Sequence, residues 1–285
     1  GTIGSTFILI GIGLSYMMTG TLNITDLAER LRAGADPVNQ TRTIQVAFAF
    51  LTVGLSLKLA VFPLHAWLPN AYSFAPSLVS AFLAATSTKV AYYLLLRVLF
   101  TIFGVVFVFD EMNLSHILMP LALLAIFVGS AVAIYQADLS RLLAYSSVAQ
   151  IGYLVLAVSF ATVTGLTAGI IHLFNHALMK GGLFLVTGCI VYRLNSSNLS
   201  DIRGFGRRMP WTMAAFVVGG LNLIGVPLTS GFISKWYLVL AALEQKLWGV
   251  AVLTLVGSLL AVVYVWRVIE VAWFAEPDQP YAEEV

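Results

Sequence analysis

Four lysines lie inside long apolar runs of this chain. Lys58 sits in AFLTVGLSLKLAVF, Lys89 in SAFLAATSTKVAYYLLL, Lys180 in IIHLFNHALMKGGLFLV and Lys235 in GVPLTSGFISKWYLVLAAL. The one remaining lysine, Lys246, is placed at the end of a run. A charge at the centre of a bilayer costs about 3 kcal/mol on insertion scales, so such groups turn toward a polar interior. Low dielectric and a second positive charge both disfavour an ammonium, whereas water or a carboxylate favours it. A lysine held between these pressures can exchange a proton near neutral pH, which arginine does not do. A row of buried lysines is therefore chemically suited to relaying protons. The competing reading places each lysine at a span end with its ammonium snorkelling to the interface. Four together, two of them beside helix breaks, weigh against it, and Lys89 is the least defined by position.

His172, His176 and Lys180 recur every four residues, which puts them on one face of a helix with Asn175 beside them. Histidine titrates near neutral pH and can pass a proton through either ring nitrogen. The stripe reads as the wall of a wet channel. Structural hydrogen bonding is the alternative. A zinc site is the third reading, but no glutamate lies between the histidines and no further ligand is indicated. His65, beyond Pro63, either extends the relay from Lys58 or caps the segment at the interface. Ser56, Thr86, Ser87, Thr88, Ser146, Ser147 and Gln150 can hold water on the same path, although helical serine and threonine often bond to the backbone behind them. No Asp or Glu falls at the centre of a run. Asp138 balances Lys180 or Arg141 or, by default, caps the helix that follows. Arg267 and Glu270 in the last run form a pair or sit near the interface.

The elements that position these groups are membrane helices. Of 285 residues, 60% are hydrophobic and 10% charged, and mean hydropathy is +0.93. A soluble domain carries roughly 25% charged residues, and no water-exposed core of this size could hide so much apolar surface. A helix crosses the hydrocarbon layer with about 20 apolar residues. That length predicts about eight spans, at 4–21, 44–62, 76–109, 114–135, 142–160, 164–192, 211–245 and 248–275. The runs are too long, and alternate too little, for β-barrel strands. Helices also satisfy their backbone groups internally, as lipid requires.

Two runs are predicted to break. Lys58 is followed by Pro63 and Pro69, and Gly225-Val226-Pro227 with Gly231 interrupts 211–245. Unwound backbone at membrane depth marks a transport centre when two such breaks occur. The run 76–109 exceeds one span and is expected to tilt or kink at Gly104. In the loop 22–43, Ile24, Leu27 and Leu31 line one face of a short amphipathic surface helix. The other charges there are Asp26, Glu29, Arg30, Arg32, Asp36 and Arg42.

The segments 136–141 and 193–210 fall on one side and together hold Arg141, Arg193, Arg203, Arg207 and Arg208, against Arg30, Arg32, Arg42 and Lys246 opposite. The positive-inside tendency, by one charge, makes the former side cytoplasmic. The net charge of +2 offers no basic stripe for nucleic acid. GFGRRMPW lacks the ending of a phosphate loop, and no haem, iron–sulfur or flavin ligand pattern is present, so no cofactor is expected. Cys189 reads as a buried small hydrophobe. Residues 4–21 read as a first span rather than a cleaved signal, since no basic stretch precedes them. The opening Gly-Thr suggests a processed or partial chain.

Taken together, LKLAVFPLHAWLPNAY, APSLVSAFLAATSTKVAYYLLLR, ADLSRLLAYSSVAQIGY, HLFNHALMKGGLF and GVPLTSGFISKW resemble the antiporter-like proton-translocating membrane subunits of respiratory complex I and of multisubunit Na⁺/H⁺ antiporters. The resemblance covers nearly the whole chain. It implies an all-α transmembrane bundle of partial inverted five-helix repeats: an incomplete first repeat over 1–110, a second over 111–275 and a polar tail at 276–285. It further implies roles. Lys58 matches the lysine of the first broken helix, Lys89 the neighbouring position that passes protons inward, Lys180 the axial lysine after His172 and His176, and Lys235 the ionisable residue of the second broken helix. The glutamate that the family pairs with the position of Lys58 is missing, because its helix would precede residue 1. A fragment or split gene product, or a non-transporting assembly subunit, would explain that. The lysines at 89 and 235 look most like the antiporter's D-type subunit. A proton-pumping subunit of an NADH-quinone oxidoreductase or related hydrogenase is the alternative. The expected partners are other membrane subunits of such a bacterial or archaeal assembly, protons and the bilayer, with sodium not visible in these residues.

Overall fold

The computed structural model describes residues 1–32 and 40–276, so Asp36 and the tail beyond Glu276 lie outside the described residues. The described chain is helical, with α1 Thr2–Thr19, α2 Ile24–Arg32, α3 Arg42–Leu59, α4 Trp67–Phe74, α5 Ser77–Leu96, α6 Leu114–Ile134 and α7 Leu139–Ser159. There follow α8 Val163–Leu194, α9 Phe205–Arg208, α10 Pro210–Ile224, α11 Ser230–Glu244 and α12 Trp248–Trp273. Among the described residues, seven helices are long and apolar enough to cross a membrane: α1, α3, α5 with its continuation to Phe103, α6, α7, α8 and α12. The run 211–245 is divided between α10 and α11. The protein is an all-α multi-pass membrane bundle.

The axis of the bundle is α7. Its spanning window is 94% buried, against 22% for α1 and 33% for α12, so α7 is enclosed by protein while the outer helices keep apolar faces for lipid. Small residues let α6 close on it. A Cβ on Gly129 would stand 2.8 Å from Ala149 N, and one on Gly152 would stand 2.8 Å from Ala122 O. This is the close backbone approach that membrane helices use where lipid supplies no hydrophobic driving force. Around α7 pack α6, α8, α11 and α12; α5 lies against α8, then α3 and α1 outward.

Both predicted breaks are present. α3 stops at Leu59, Ala60 takes a left-handed conformation (φ 62°), and the chain resumes helix at α4. α10 stops at Gly225 (φ 84°), and α11 starts at Ser230 with the Thr229 side chain accepting from Phe232 N. Asn222 spans this second break: its Oδ1 accepts from Gly231 N at 2.6 Å and from Ser230 Oγ at 3.1 Å.

The surface helix expected in 22–43 is α2. Leu31 is fully buried, whereas Asp26 and Arg30 form a 2.8 Å ion pair on the outside. The predicted kink at Gly104 is also seen. α5 runs on through π-helical turns over Arg97–Phe103 and ends at Gly104, φ 84°. The Arg32 side chain covers that end, donating to Thr101 O at 2.7 Å and Ile102 O at 3.3 Å.

Candidate functional site

Four of the sequence-predicted groups form a buried row across α8, α7 and α11, with Lys89 of α5 flanking it. Lys180 is wholly buried, and its Nζ donates to Leu143 O at 2.8 Å and Ser146 Oγ at 2.5 Å on α7. One turn back along α8, the wholly buried ring of His176 stacks on that of His172, with centroids 6.1 Å apart and planes 13° off parallel. His172 then crosses to α11, where Nδ1 meets Ser234 Oγ at 2.9 Å. The Ser234 hydroxyl donates to Gly231 O at 2.9 Å.

Lys235 follows Ser234 and lies across the second break. Its Nζ donates to Leu223 O at 3.0 Å and Ile224 O at 2.8 Å, the last carbonyls of α10. A helix end leaves such carbonyls without intrahelical partners, and a cation there complements the helix dipole. The ammonium also sits 4.7 Å from the centroid of the Tyr153 ring, a cation–π contact. The same ring meets His172 edge-on at 5.8 Å. On the other flank, Lys89 Nζ donates to Ala84 O and, at 3.3 Å, to Thr88 Oγ1.

These charges feel one another. Lys89 acts electrostatically on Lys180, on His176 and on His172; Lys180 acts on His176, and Lys235 on His172. No carboxylate hydrogen-bonds to any of the five among the described residues. Among the described residues, both ring nitrogens of His176 lack a protein hydrogen-bond partner, while the Tyr264 hydroxyl faces the Gln150 side chain and the His172 ring faces the Gln150 backbone. Buried polar groups are costly unless hydrogen-bonded, and polar sites of this kind hold structural water. Among the described residues no third histidine, cysteine or carboxylate joins the histidine pair to make a metal site.

Other predicted residues lie apart. Lys58 is half-buried at the first break, its stem packed beside Gly4 of α1, and it shares no hydrogen bond with the row among the described residues. His65 is half-buried beyond the same break and stacks on Phe62, with centroids 5.2 Å apart. Asp138 takes the default role: Oδ1 accepts from Arg141 N at 2.8 Å as the N-cap of α7, and Oδ2 accepts from Ser197. Arg267 donates to Ile134 O and Gln136 O, closing the C-terminal end of α6, so of the two readings offered for Arg267 and Glu270 the pair gives way to a helix cap. Cys189 is exposed rather than buried. Tyr153 and Ser234 were not legible as site residues, since an aromatic and a serine inside apolar helices carry no signal of their own.

Fold and row together define a class: a polytopic helical membrane protein with titratable side chains held at depth beside broken helices. The chain belongs to the transmembrane family described as NADH:quinone oxidoreductase/Mrp antiporter, which matches residues 1–261. It is 44% identical over 286 residues to NADH-quinone oxidoreductase subunit N of Desulforudis audaxviator (strain MP104C), covering 99% of this chain and 55% of that protein. Among solved structures it is similar to a chain of the Mrp complex from Dietzia sp. DQ12-45-1b, with a TM-score of 0.87 and 30% identity, covering 97% of this chain and 49% of that one. It is also similar to a chain of the membrane-bound sulfane sulfur reductase, an archaeal respiratory membrane complex, with a TM-score of 0.86 and 34% identity, covering 99% and 57%. The chain thus spans about half the length of the curated relatives it matches.

Proposed function

We propose that this chain forms part of a proton-translocating membrane subunit in a redox-driven complex of the NADH-quinone oxidoreductase type, beside other membrane subunits. The observation that carries the reading is the buried sequence Lys180, His176, His172 and Lys235, in which neither ring nitrogen of His176 has a protein hydrogen-bond partner. Lysine and histidine both change charge within reach of neutral pH when their surroundings are tuned, and water between them completes a relay. Lys89 stands beside Lys180 as the inward donor. Lys235 exchanges with the opposite side at the second break. Lys58, as the lysine of the first break, would join from the half of the bundle built on α1 and α3.

The redox-driven assembly is preferred to the antiporter because 44% identity to an oxidoreductase subunit N exceeds the 30% identity to the Mrp chain. The cation/proton antiporter is the second reading, favoured by the TM-score of 0.87. One experiment tests both. In membrane vesicles holding the assembled complex, a pH-sensitive dye reports proton movement on addition of electron donor and quinone, or on imposing a sodium gradient alone. Redox-driven acidification that disappears in Lys180→Ala, with assembly retained, is the expected result. Wild-type acidification in that variant would sink the relay, and a response to sodium alone would favour the antiporter.

A further inference from the structure

A groove of about 400 Å³ runs along α8 toward its C-terminal end. From α8 it is lined by Leu185, Gly188, Cys189, Tyr192 and Arg193, a spacing that keeps side chains on one helical face. From Leu185 to Arg193, at 1.5 Å per residue, that wall is about 12 Å long. The opposite wall is the first turn of α5, with Ser77 and Leu78, and Met209, just before α10, completes the lining. Gly188 lets the two walls approach, since a Cβ there would stand 3.1 Å from Ser77 Cβ. Leu78, Leu185, Cys189 and Tyr192 are exposed, so the groove opens outward from the bundle and not into the row of lysines and histidines.

The two ends of the groove differ in chemistry. Leu185 marks the deep, apolar end, and Arg193, in the last turn of α8, marks the head. Tyr192, 83% exposed beside it, is the kind of aromatic that sits at headgroup depth. Arg193 is the one charged residue among the described lining residues. Its planar fork carries five N–H donors and matches a phosphate bidentately. Arg207 and Arg208, both exposed and next to Met209 in the chain, add positive charge to the same rim. α5 begins at the groove with no acidic residue in its first turn and no side-chain cap from Pro76, so its N-terminal partial charge also favours an anion. The opposing C-terminal end of α8 is met by Arg193 itself. An apolar trough under a basic head is complementary to an acyl chain under an anionic headgroup, the ligand that basic pockets between membrane helices take.

We propose that this groove binds one anionic diacyl phospholipid of the surrounding bilayer, with its phosphate at Arg193 and one acyl chain along Leu185, Cys189 and Leu78. The lipid bridges α5, which carries Lys89, and α8, which carries Lys180. Selection comes from the headgroup. A zwitterionic phospholipid brings a cation of its own to the arginine rim and loses part of the attraction, while its acyl chains make the same apolar contacts. The site stands independently of the relay reading.

The test uses the assembled complex, extracted in mild detergent, stripped of lipid and incubated with phosphatidylglycerol or phosphatidylcholine carrying a photoactivatable diazirine in one acyl chain. Irradiation and peptide mapping locate the adducts. The expected result is adducts on residues 185–193 and 77–80, at least fivefold more with phosphatidylglycerol than with phosphatidylcholine at equal concentration. Arg193→Gln should abolish that preference and leave the phosphatidylcholine adducts unchanged. Cys189→Phe, which fills the trough, should cut adducts of both lipids at least fivefold. Should Arg193→Gln fail to assemble, the headgroup preference of the wild type together with Cys189→Phe decides. Equal labelling by the two lipids in the wild type identifies an ordinary lipid annulus and overturns the proposal, as does a preference that survives Arg193→Gln. A benzophenone attached to Cys189 that captures a protein segment instead of lipid also overturns it, because the groove is then covered by protein.

Discussion

The Lys235 ammonium donates to the carbonyl of Ile224 at 2.8 Å, across the interruption between α11 and α10. One side chain thus serves two purposes: it closes a helix end inside the membrane, and it ends the row of titratable groups. The two purposes separate chemically, because closing needs a donor and relaying needs a group that gains and loses a proton.

Lys235→Gln keeps a donor that can reach the α10 carbonyls but cannot carry a proton. Proton translocation should fall at least tenfold while the complex assembles and melts near the wild type. Lys235→Ala should lose translocation and also about 1–3 kcal/mol of stability, because two buried carbonyls are left unpaired. Vesicle acidification and thermal melting of the purified complex measure both. Equal stability in the two variants would show that the contact to Ile224 does not hold the break.

His176 allows a sharper separation. It is wholly buried, yet neither ring nitrogen has a protein hydrogen-bond partner. A structural histidine would be missed by the fold; this one would not. His176→Leu, apolar and of similar volume, should leave stability within about 1 kcal/mol of wild type or raise it, since no protein hydrogen bond is lost. Translocation should drop at least tenfold. A strongly destabilised but active variant would reverse the assignment.

Much of this architecture was legible in the sequence, for physical reasons that can be named. The four-residue spacing of His172, His176 and Lys180 survives in the structure because a helix has no freedom to place them otherwise. Gly225-Val226-Pro227 announced the second break because proline and left-handed glycine both end a helix. Leu27 and Leu31 announced α2. What the sequence could not show is which helices meet. That Ser234 faces His172, that Tyr153 lies under Lys235, and that Tyr72 reaches Leu83 O are consequences of helix packing between segments 11 to 82 residues apart in the chain. One cap was open for a similar reason. Arg267 finds its backbone partners only after α6 and α12 have come together, whereas Asp138 caps its own helix locally, as its spacing before Arg141 allowed.

Close packing at the second break gives a test of the fold itself. A Cβ on Gly231 would stand 1.9 Å from Asn222 O, whereas one on Gly182 of α8 would meet nothing within 4 Å. Gly231→Ala must therefore push Asn222 away and lose its bond across the break, at about 3 kcal/mol as overpacking changes go. Gly182→Ala, two residues from Lys180, should be neutral or stabilising by helix propensity. Yield of assembled complex and melting temperature rank the two, and the opposite order would contradict the packing.

The surface helix supplies the last prediction. Arg32 of α2 donates to Thr101 O and Ile102 O, and its guanidinium stands 3.1 Å from where a Gly104 Cβ would lie. It is far from the lysine and histidine row, so its work is to close the π-helical end of α5 and hold α2 against the bundle. Arg32→Met removes the donor and keeps the apolar stem. Hydrogen exchange over residues 99–108 should then quicken, by about tenfold for a loss of about 1.4 kcal/mol. Proton translocation by the assembled complex should stay within twofold of wild type. Unchanged exchange at 99–108 would mean that the carbonyls of Thr101 and Ile102 are held by something other than Arg32.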